Sequence, residues 1–166
     1  VLAGDPKRAV ARFGFVDADR ALPAIYITGG AQGASRINRV VEEILPELTT
    51  FARIIHQCGR QPEGATQDFD RLSAIAASLA PELRQRYFAA QYIKDEIGDV
   101  FALADLIVGR SGAATVAEIC AVGRAALFIP LVPTGGDEQT RNARLLESRS
   151  AAVVLPPPEI SAGWSG

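Results

Sequence analysis

The sequence predicts an α/β protein: a Rossmann-like parallel sheet of about six strands with helices on both faces. Three observations lead there. Short apolar runs alternate with stretches of helical periodicity, the signature of parallel strands joined by crossover helices. Those runs are apolar nearly throughout instead of alternating, as strands covered on both faces require. Glycine-rich turns also stand where runs pass into helical stripes, at 29–33, 109–112 and 135–136.

Taken in order, the strands are expected at Ala24–Thr28, Ala52–Gln57, Tyr87–Tyr92, Leu106–Gly109, Ala125–Pro130 and Ala151–Leu155. Ile37, Val40, Val41, Ile44, Leu45 and Leu48 share one face of a first helix, which Pro46 is expected to end or kink. Leu72, Ile75, Ala76 and Leu79 form a second stripe closed by Pro81, and Val100, Phe101 and Ala104 a short third. Val116, Ile119 and Cys120 mark a fourth helix stopped by Gly123. A fifth runs through Asp137–Glu147 with Ala143 and Leu146 inward. Residues 1–23 read as a linker entering the domain, 24–155 as the domain itself, and 156–166 as a proline-started tail. A start at Val1 and that tail lead to the expectation of a longer parent, truncated at both ends.

Composition narrows the function classes. A chain of 166 residues is one domain's length, and 48% apolar residues suffice for a substantial core. A net charge of −2 argues against a nucleic-acid-binding surface. No apolar run approaches the roughly 18 residues a bilayer span requires. Cys58 and Cys120 are far apart and there is a single histidine, so no Cys/His zinc site can be assembled. A reducing, cytoplasmic setting is the simplest expectation.

The chemistry concentrates in three strand-to-helix segments. In Ile25-Tyr26-Ile27-Thr28-Gly29-Gly30-Ala31-Gln32-Gly33-Ala34-Ser35, glycines let backbone approach a ligand, and the helix start offers N–H groups to an anion. The loop lacks Gly-Lys-Ser/Thr, so it is no Walker loop. Its spacing is Gly-Gly-x-x-Gly, and the second strand ends His56-Gln57-Cys58-Gly59 without an acidic residue for a dinucleotide ribose. In Gly109-Arg110-Ser111-Gly112-Ala113-Ala114-Thr115-Val116-Ala117-Glu118, Ser111 stands near a helix cap and Glu118 two turns in, where a carboxylate can accept ribose hydroxyls. In Gly135-Gly136-Asp137-Glu138-Gln139-Thr140-Arg141-Asn142, Gln139 and Asn142 share a face suited to sugar hydroxyls, and Asp137 is placed to cap the helix. All three follow strands, so a parallel sheet gathers them at one edge, where open α/β sheets bind ligands.

Two other features have structural readings. His56, the lone histidine, ends a strand and is expected to be packed and hydrogen-bonded, not a catalytic base. Asp17-Ala18-Asp19 and Asp68-Phe69-Asp70 resemble metal-binding pairs, but they lie in polar connections and are expected to be solvated loops.

The ordered set Gly29-Gly30-x-Gln32-Gly33-Ala34, His56-Gln57-Cys58-Gly59, Ala104-Asp105, Arg110-Ser111-Gly112-Ala113-x-Thr115-x-x-Glu118 and Gln139-x-x-Asn142-Ala143 resembles the MurG family. Its members are UDP-N-acetylglucosamine transferases that convert lipid I to lipid II in bacterial peptidoglycan synthesis. The likeness runs from about residue 4 to 155 and is to the C-terminal, donor-binding half of a GT-B glycosyltransferase.

That resemblance implies donor contacts from Arg8, Gly30, Gln32, Gly33, Ser111, Gly112 and Glu138, a ribose site at Thr115 and Glu118, and sugar contacts from Gln139 and Asn142. Uracil would sit near Ile93 and Ile97. It further implies no cofactor and no metal, the UDP sugar being a substrate, and a catalytic base and lipid-linked acceptor belonging to an absent N-terminal domain. The parent would be cytoplasmic, peripheral on the inner face of the cell membrane, and the fragment alone inactive. Ala31 stands where the family carries serine, Asp5 where it carries asparagine, and the 131–136 loop lacks the family's histidine. A related transferase using another UDP sugar and a non-catalytic nucleotide-binding module are the competing readings.

Overall fold

In the computed structural model the described residues are 4–30, 33–63, 67–131 and 137–155. Six strands form one sheet in the order β3-β2-β1-β4-β5-β6, every neighbouring pair parallel. They are β1 (Ala24–Thr28), β2 (Arg53–Gln57), β3 (Tyr87–Ala90), β4 (Leu106–Gly109), β5 (Ala125–Phe128) and β6 (Ala152–Val154). Seven helices accompany them among the described residues: α1 (Pro6–Phe13), α2 (Ser35–Phe51), α3 (Asp68–Ser78), α4 (Pro81–Arg84), α5 (Ile97–Leu103), α6 (Ala113–Val122) and α7 (Glu138–Glu147).

The pleat sorts alternate strand residues into two cores. Ile25, Ile27 and Ile54 pack with Ile37, Val41, Leu45, Leu72 and Ala76 of α2 and α3. Tyr26, Ile55 and Ile107 pack on the other face with Phe101 of α5, Ile119 of α6 and Ala143 of α7. Because both faces are covered, β1 and β2 are buried at every position, which is why they read as unbroken apolar runs.

Chain order reverses between β1 and β4: β1, β2 and β3 step one way across the sheet, and β4, β5 and β6 the other. At such a switch point the loops after the two central strands turn to opposite faces and leave a crevice between them. Here those loops are the ones that follow Thr28 and Gly109.

Several local expectations are corrected. Pro46 does not end its helix: α2 runs on to Phe51. Leu45 and Thr49 flank Pro46 and are fully buried, and the Thr49 hydroxyl donates to the carbonyls of Leu45 and Pro46 (3.0 Å each), so packing outweighs the missing N–H. The second stripe does close before Pro81, α3 ending at Ser78, and Pro81 then opens α4 as its first residue, where a missing N–H costs nothing. β3 stops at Ala90 because the chain peels away toward a loop whose Ile93 N–H is taken by the Gln57 side chain.

The 4–23 segment is folded onto the domain. Asp5 caps α1 by accepting from the Lys7 N–H (2.9 Å), Pro6 stands at the first helical position, and Gly14 ends the helix at φ 71°. Ala9 and Phe13 are buried, and the Phe13 ring meets Phe88 at 4.8 Å. Arg8 and Arg12 pair with Asp99 and Glu96 around the start of α5.

Each Asp-x-Asp segment is solvated only in part: Asp17 and Asp70 are exposed as expected, but Asp19 and Asp68 are buried. Asp19 is buried and paired with Arg86, which also donates to the carbonyls of Thr49 and Thr50. Asp68 is buried at the start of α3, where it accepts from Asn38 (2.6 Å) and Gln61 (2.8 Å) and pairs with Arg71. Each ties together segments distant in sequence. Among the described residues no three His, Cys, Asp or Glu side chains are grouped as a metal site would need.

Candidate functional site

A cleft of about 330 Å³ opens at the switch point. Thr28, Gly29, Gly30, Gly33 and Ala34 form one wall; Arg110, Gly112 and Thr115 form the other, with Leu131 and Gln139 beside them. The walls are therefore the β1–α2 and β4–α6 turns, and the start of α7 completes the rim.

Gly29 and Gly33 are demanded sterically. A Cβ on Gly29 would lie 2.1 Å from the Ala34 nitrogen, and one on Gly33 2.1 Å from the Cys58 carbonyl oxygen. Gly33 also has φ +74°, a left-handed conformation that suits glycine. The turn thus presses flat against the end of β2, and the start of α2 faces the cleft.

Three helices begin around this opening, and none is capped by a side chain of its own. Ala34, Gly112 and Asp137 occupy the N-cap positions of α2, α6 and α7, and none makes a side-chain capping bond. Asp137 is thus in the capping position expected of it without performing the capping contact. First-turn N–H groups have no intrahelical acceptor, so each start carries partial positive charge.

Arg110 adds a full charge. Its Nη1 donates to the carbonyls of Ile129 (2.7 Å) and Pro130 (2.8 Å), which aim the guanidinium along the cleft wall. Burial, and secondarily the charge on Arg36, lower its pKa from the ordinary arginine value. Among the described residues neither Arg110 nor Arg36 makes an ion pair. Like charges drawn together without a carboxylate create a potential that an anion would relieve.

The expected site residues fall into three groups. Gly30, Gly33, Gly112, Thr115 and Gln139 line the cleft. Ser111, Asn142, Glu118, Glu138, Ile93, Ile97 and Arg8 lie outside its lining, and Gln32, with Ala31 and 132–136, falls outside the described residues. Ser111 is fully buried, and its hydroxyl donates to the Gln139 carbonyl (2.7 Å). Asn142 Nδ2 donates to the Ser111 carbonyl (3.1 Å), and Gln139 Oε1 accepts from the Leu131 N–H (2.9 Å). These bonds sew α7 to the β4–α6 turn.

Glu118 and Glu138 are exposed on α6 and α7. Glu118 stands on the side of the buried Tyr26, whose phenol is pushed up to about 12, first by burial and in smaller part by the charges of Glu118 and Tyr92. Arg8 makes two bonds to Asp99, from Nε (2.9 Å) and Nη2 (2.7 Å). With the Asp5 N–H, that contact holds the Asp99 carboxyl down to about 2.

Sequence reasoning passed over Thr28 and Arg110 as wall residues, although both stand inside the quoted segments. It also missed the supporting network beneath the cleft. His56 is buried between Tyr87 and Asn38, with Nδ1 3.0 Å from the tyrosine hydroxyl and Nε2 3.0 Å from Asn38 Oδ1. Asn38 Nδ2 must donate, since it faces the Cys58 carbonyl (2.8 Å) and the Asp68 carboxylate, so its Oδ1 accepts from Nε2–H. Nδ1 then accepts from Tyr87, and the ring is neutral; burial lowers its pKa to about 4. The packed, hydrogen-bonded role expected for His56 is what the structure shows. Cys58 is inert by the same logic, its thiol raised to about 11 by burial.

Comparison with known proteins agrees with this architecture. The model of the glycosyltransferase family 28 C-terminal domain matches residues 24–163. The UDP-N-acetylglucosamine--N-acetylmuramyl-(pentapeptide) pyrophosphoryl-undecaprenol N-acetylglucosamine transferase of Psychrobacter cryohalolentis is 38% identical over 137 residues, 82% of this chain and 36% of that protein. The enzyme of the same name from Bifidobacterium adolescentis is 34% identical over 163 residues, 95% of this chain and 40% of that protein. The chain thus spans little more than a third of the length of the curated relatives it matches. The crystal structure of Acinetobacter baumannii MurG superposes with a TM-score of 0.66 at 31% identity, over 88% of this chain and 39% of that one. A glycosyltransferase from Rickettsia africae superposes with a TM-score of 0.63 at 14% identity, over 93% of this chain and 38% of that one, a likeness of fold alone. Switch-point cleft, ordered motifs and matched family model together place the chain in the glycosyltransferase family 28 C-terminal domain family.

Proposed function

We propose that the chain is the UDP-N-acetylglucosamine-binding domain of a hexosyltransferase that delivers the sugar to lipid-linked muramyl-pentapeptide in peptidoglycan synthesis. The observation that carries this is the cleft itself: three helix starts without side-chain caps and an arginine that has no carboxylate partner among the described residues, gathered at the switch point. A diphosphate is the complementary ligand. It would lie against Gly30, Gln32, Gly33 and Gly112, with ribose toward Thr115 and Glu118, uracil toward Ile93 and Ile97, and the sugar toward Glu138, Gln139 and Asn142. Ser111 supports its turn from beneath, and Arg8 approaches the donor only by leaving Asp99.

As an inverting transferase, the parent must stabilise charge developing on the departing UDP. Helix N-termini and Arg110 supply that stabilisation in this reading, with no cofactor and no bound metal. The acceptor and the catalytic base belong to the rest of the parent, a cytoplasmic enzyme peripheral on the inner membrane face. No helix among the described residues is long and apolar enough to cross a membrane.

Titration calorimetry with UDP-N-acetylglucosamine, UDP-glucose and UDP tests the reading. Expected is binding of UDP and preference for the N-acetylated sugar. Silence of all three at millimolar ligand would overturn it. Preference for UDP-glucose would favour the related reading of a transferase using another UDP sugar, which Ala31 and the altered 131–136 loop motivate. The chain alone is expected to form no lipid II; detectable turnover would refute the assignment of the base to another domain.

A further inference from the structure

Gln57 ends β2, is 4% exposed, and sits between two strands whose following loops both belong to the proposed donor site. β2 pairs with β1 on one side and β3 on the other, so the last residue of β2 can reach both the β1–α2 turn and the β3–α5 loop. Its side chain does reach both. Nε2 donates to the Gly30 carbonyl (3.1 Å) and approaches the Thr28 hydroxyl (3.4 Å), and Oε1 accepts from the Ile93 N–H (2.9 Å). A flipped amide would set oxygen against the Gly30 carbonyl and nitrogen against the Ile93 N–H, so the orientation is fixed by its partners.

The Gly30 end of this clamp has a direct bearing on the cleft. The Gly30 carbonyl also accepts from the Gly33 N–H (3.1 Å), and the Gly30 N–H donates to the Thr28 hydroxyl (3.0 Å). Gln57 thus adds to the bonds that hold Gly30, and the same amide anchors the loop leading into α5. The two loops follow strands on either side of β2, so any ligand touching both passes over this residue.

We propose that Gln57 is a positioning residue that couples the diphosphate-binding turn to the base-recognising loop and thereby contributes to nucleobase selection. This rests on the donor-site reading above. A residue that merely stabilised the fold would, when lost, weaken every nucleotide alike. A residue that fixes the 91–96 loop relative to Gly30 changes the ratio between bases.

The test uses the 166-residue chain with UDP, CDP and inorganic pyrophosphate as probes, and three variants. Gln57→Leu removes both ends of the clamp; it is expected to bind UDP about tenfold more weakly, as the loss of two ordinary hydrogen bonds implies, and to lose most of the UDP-over-CDP preference. Gln57→Glu keeps an acceptor for the Ile93 N–H but opposes a carboxylate to the Gly30 carbonyl. It is expected to weaken UDP and pyrophosphate alike while keeping the UDP-to-CDP ratio. Gln57→Asn, one methylene too short to span both loops, follows the leucine variant and serves if that variant does not fold.

Amide hydrogen exchange at Ile93, expected to accelerate in the leucine and asparagine variants, reads the clamp without any ligand. Unchanged Ile93 exchange, or an unchanged UDP-to-CDP ratio in a folded leucine or asparagine variant, overturns the inference. Failure of the unaltered chain to bind UDP would instead overturn the donor-site reading, and base selection with it.

Discussion

Replacing Gly33 with alanine is expected to destabilise the chain by roughly 2–5 kcal/mol and to weaken UDP binding at least tenfold. Two penalties combine. A left-handed residue at φ +74° costs a side-chain-bearing amino acid about 1–2 kcal/mol. The new Cβ would also stand 2.1 Å from the Cys58 oxygen, and that carbonyl has nowhere to retreat: the Cys58 N–H is bonded to the Ala90 carbonyl (2.9 Å), and its own oxygen accepts from Asn38. Relief must come from the turn, which would lift the start of α2 away from the cleft. Gly30→Ala is the control. At φ +80° it carries the same conformational penalty but meets no described atom within 4 Å, so it should cost only that penalty, about 1–2 kcal/mol. Urea denaturation of both variants, with UDP titration, separates them; equal losses would show that the contact with Cys58 is irrelevant.

Acidification is the second large effect. His56 has a folded-state pKa near 4, against about 6.5 in an unfolded chain. Between those values the unfolded state binds a proton that the folded state refuses, so stability is full above pH 6.5 and declines as pH falls toward 4. The shift corresponds to roughly 3 kcal/mol. His56 is the chain's one histidine, and the carboxyls of Asp99, Glu96 and Glu147, each lowered by an arginine partner, titrate below this window. Urea midpoints measured across the window should fall steeply in the unaltered chain and stay nearly flat in His56→Gln. A flat profile in the unaltered chain would mean that the ring is not held neutral between Asn38 and Tyr87.

The features legible in the sequence were those written in local chemistry. Unbroken apolar runs located the strands, glycines marked the turns at Gly29 and Gly112, and Gly123 marked the end of α6. Asp5-Pro6 carried a helix start that was legible too, yet the polar composition of 1–23 masked it. What escaped depends on partners far apart in the chain. Nothing near Gln57 discloses that Gly30 and Ile93 will flank it, 27 and 36 residues away. Asp19 and Asp68 look like surface carboxylates until Arg86 and Arg71 come into view. Ser111 has the composition of a helix cap, but the position of α7 turns its hydroxyl inward to Gln139. Local pattern fixes the strand-to-helix turns, and tertiary packing decides which side chains in them face a ligand.

The same distinction bears on donor recognition. The proposed diphosphate contacts come mostly from backbone at the starts of α2 and α6, which many side-chain changes would leave intact. Sugar and base contacts depend on side chains whose placement rests on a few bonds: Ser111 to Gln139, Asn142 to Ser111, Gln57 to Ile93. Selectivity should therefore be easier to alter by substitution than diphosphate affinity.

The most direct test of the donor site is a titration of the isotopically labelled chain with UDP-N-acetylglucosamine, followed through backbone amide shifts. The largest changes are expected at Gly30, Gly33 through Ile37, Gly112 through Thr115, and Gln139, the residues at the switch-point cleft and the helix starts around it. Shifts centred instead on the second cleft, where Gly98, Phe101, Val122 and Arg124 meet, with the glycine turn undisturbed, would contradict the account.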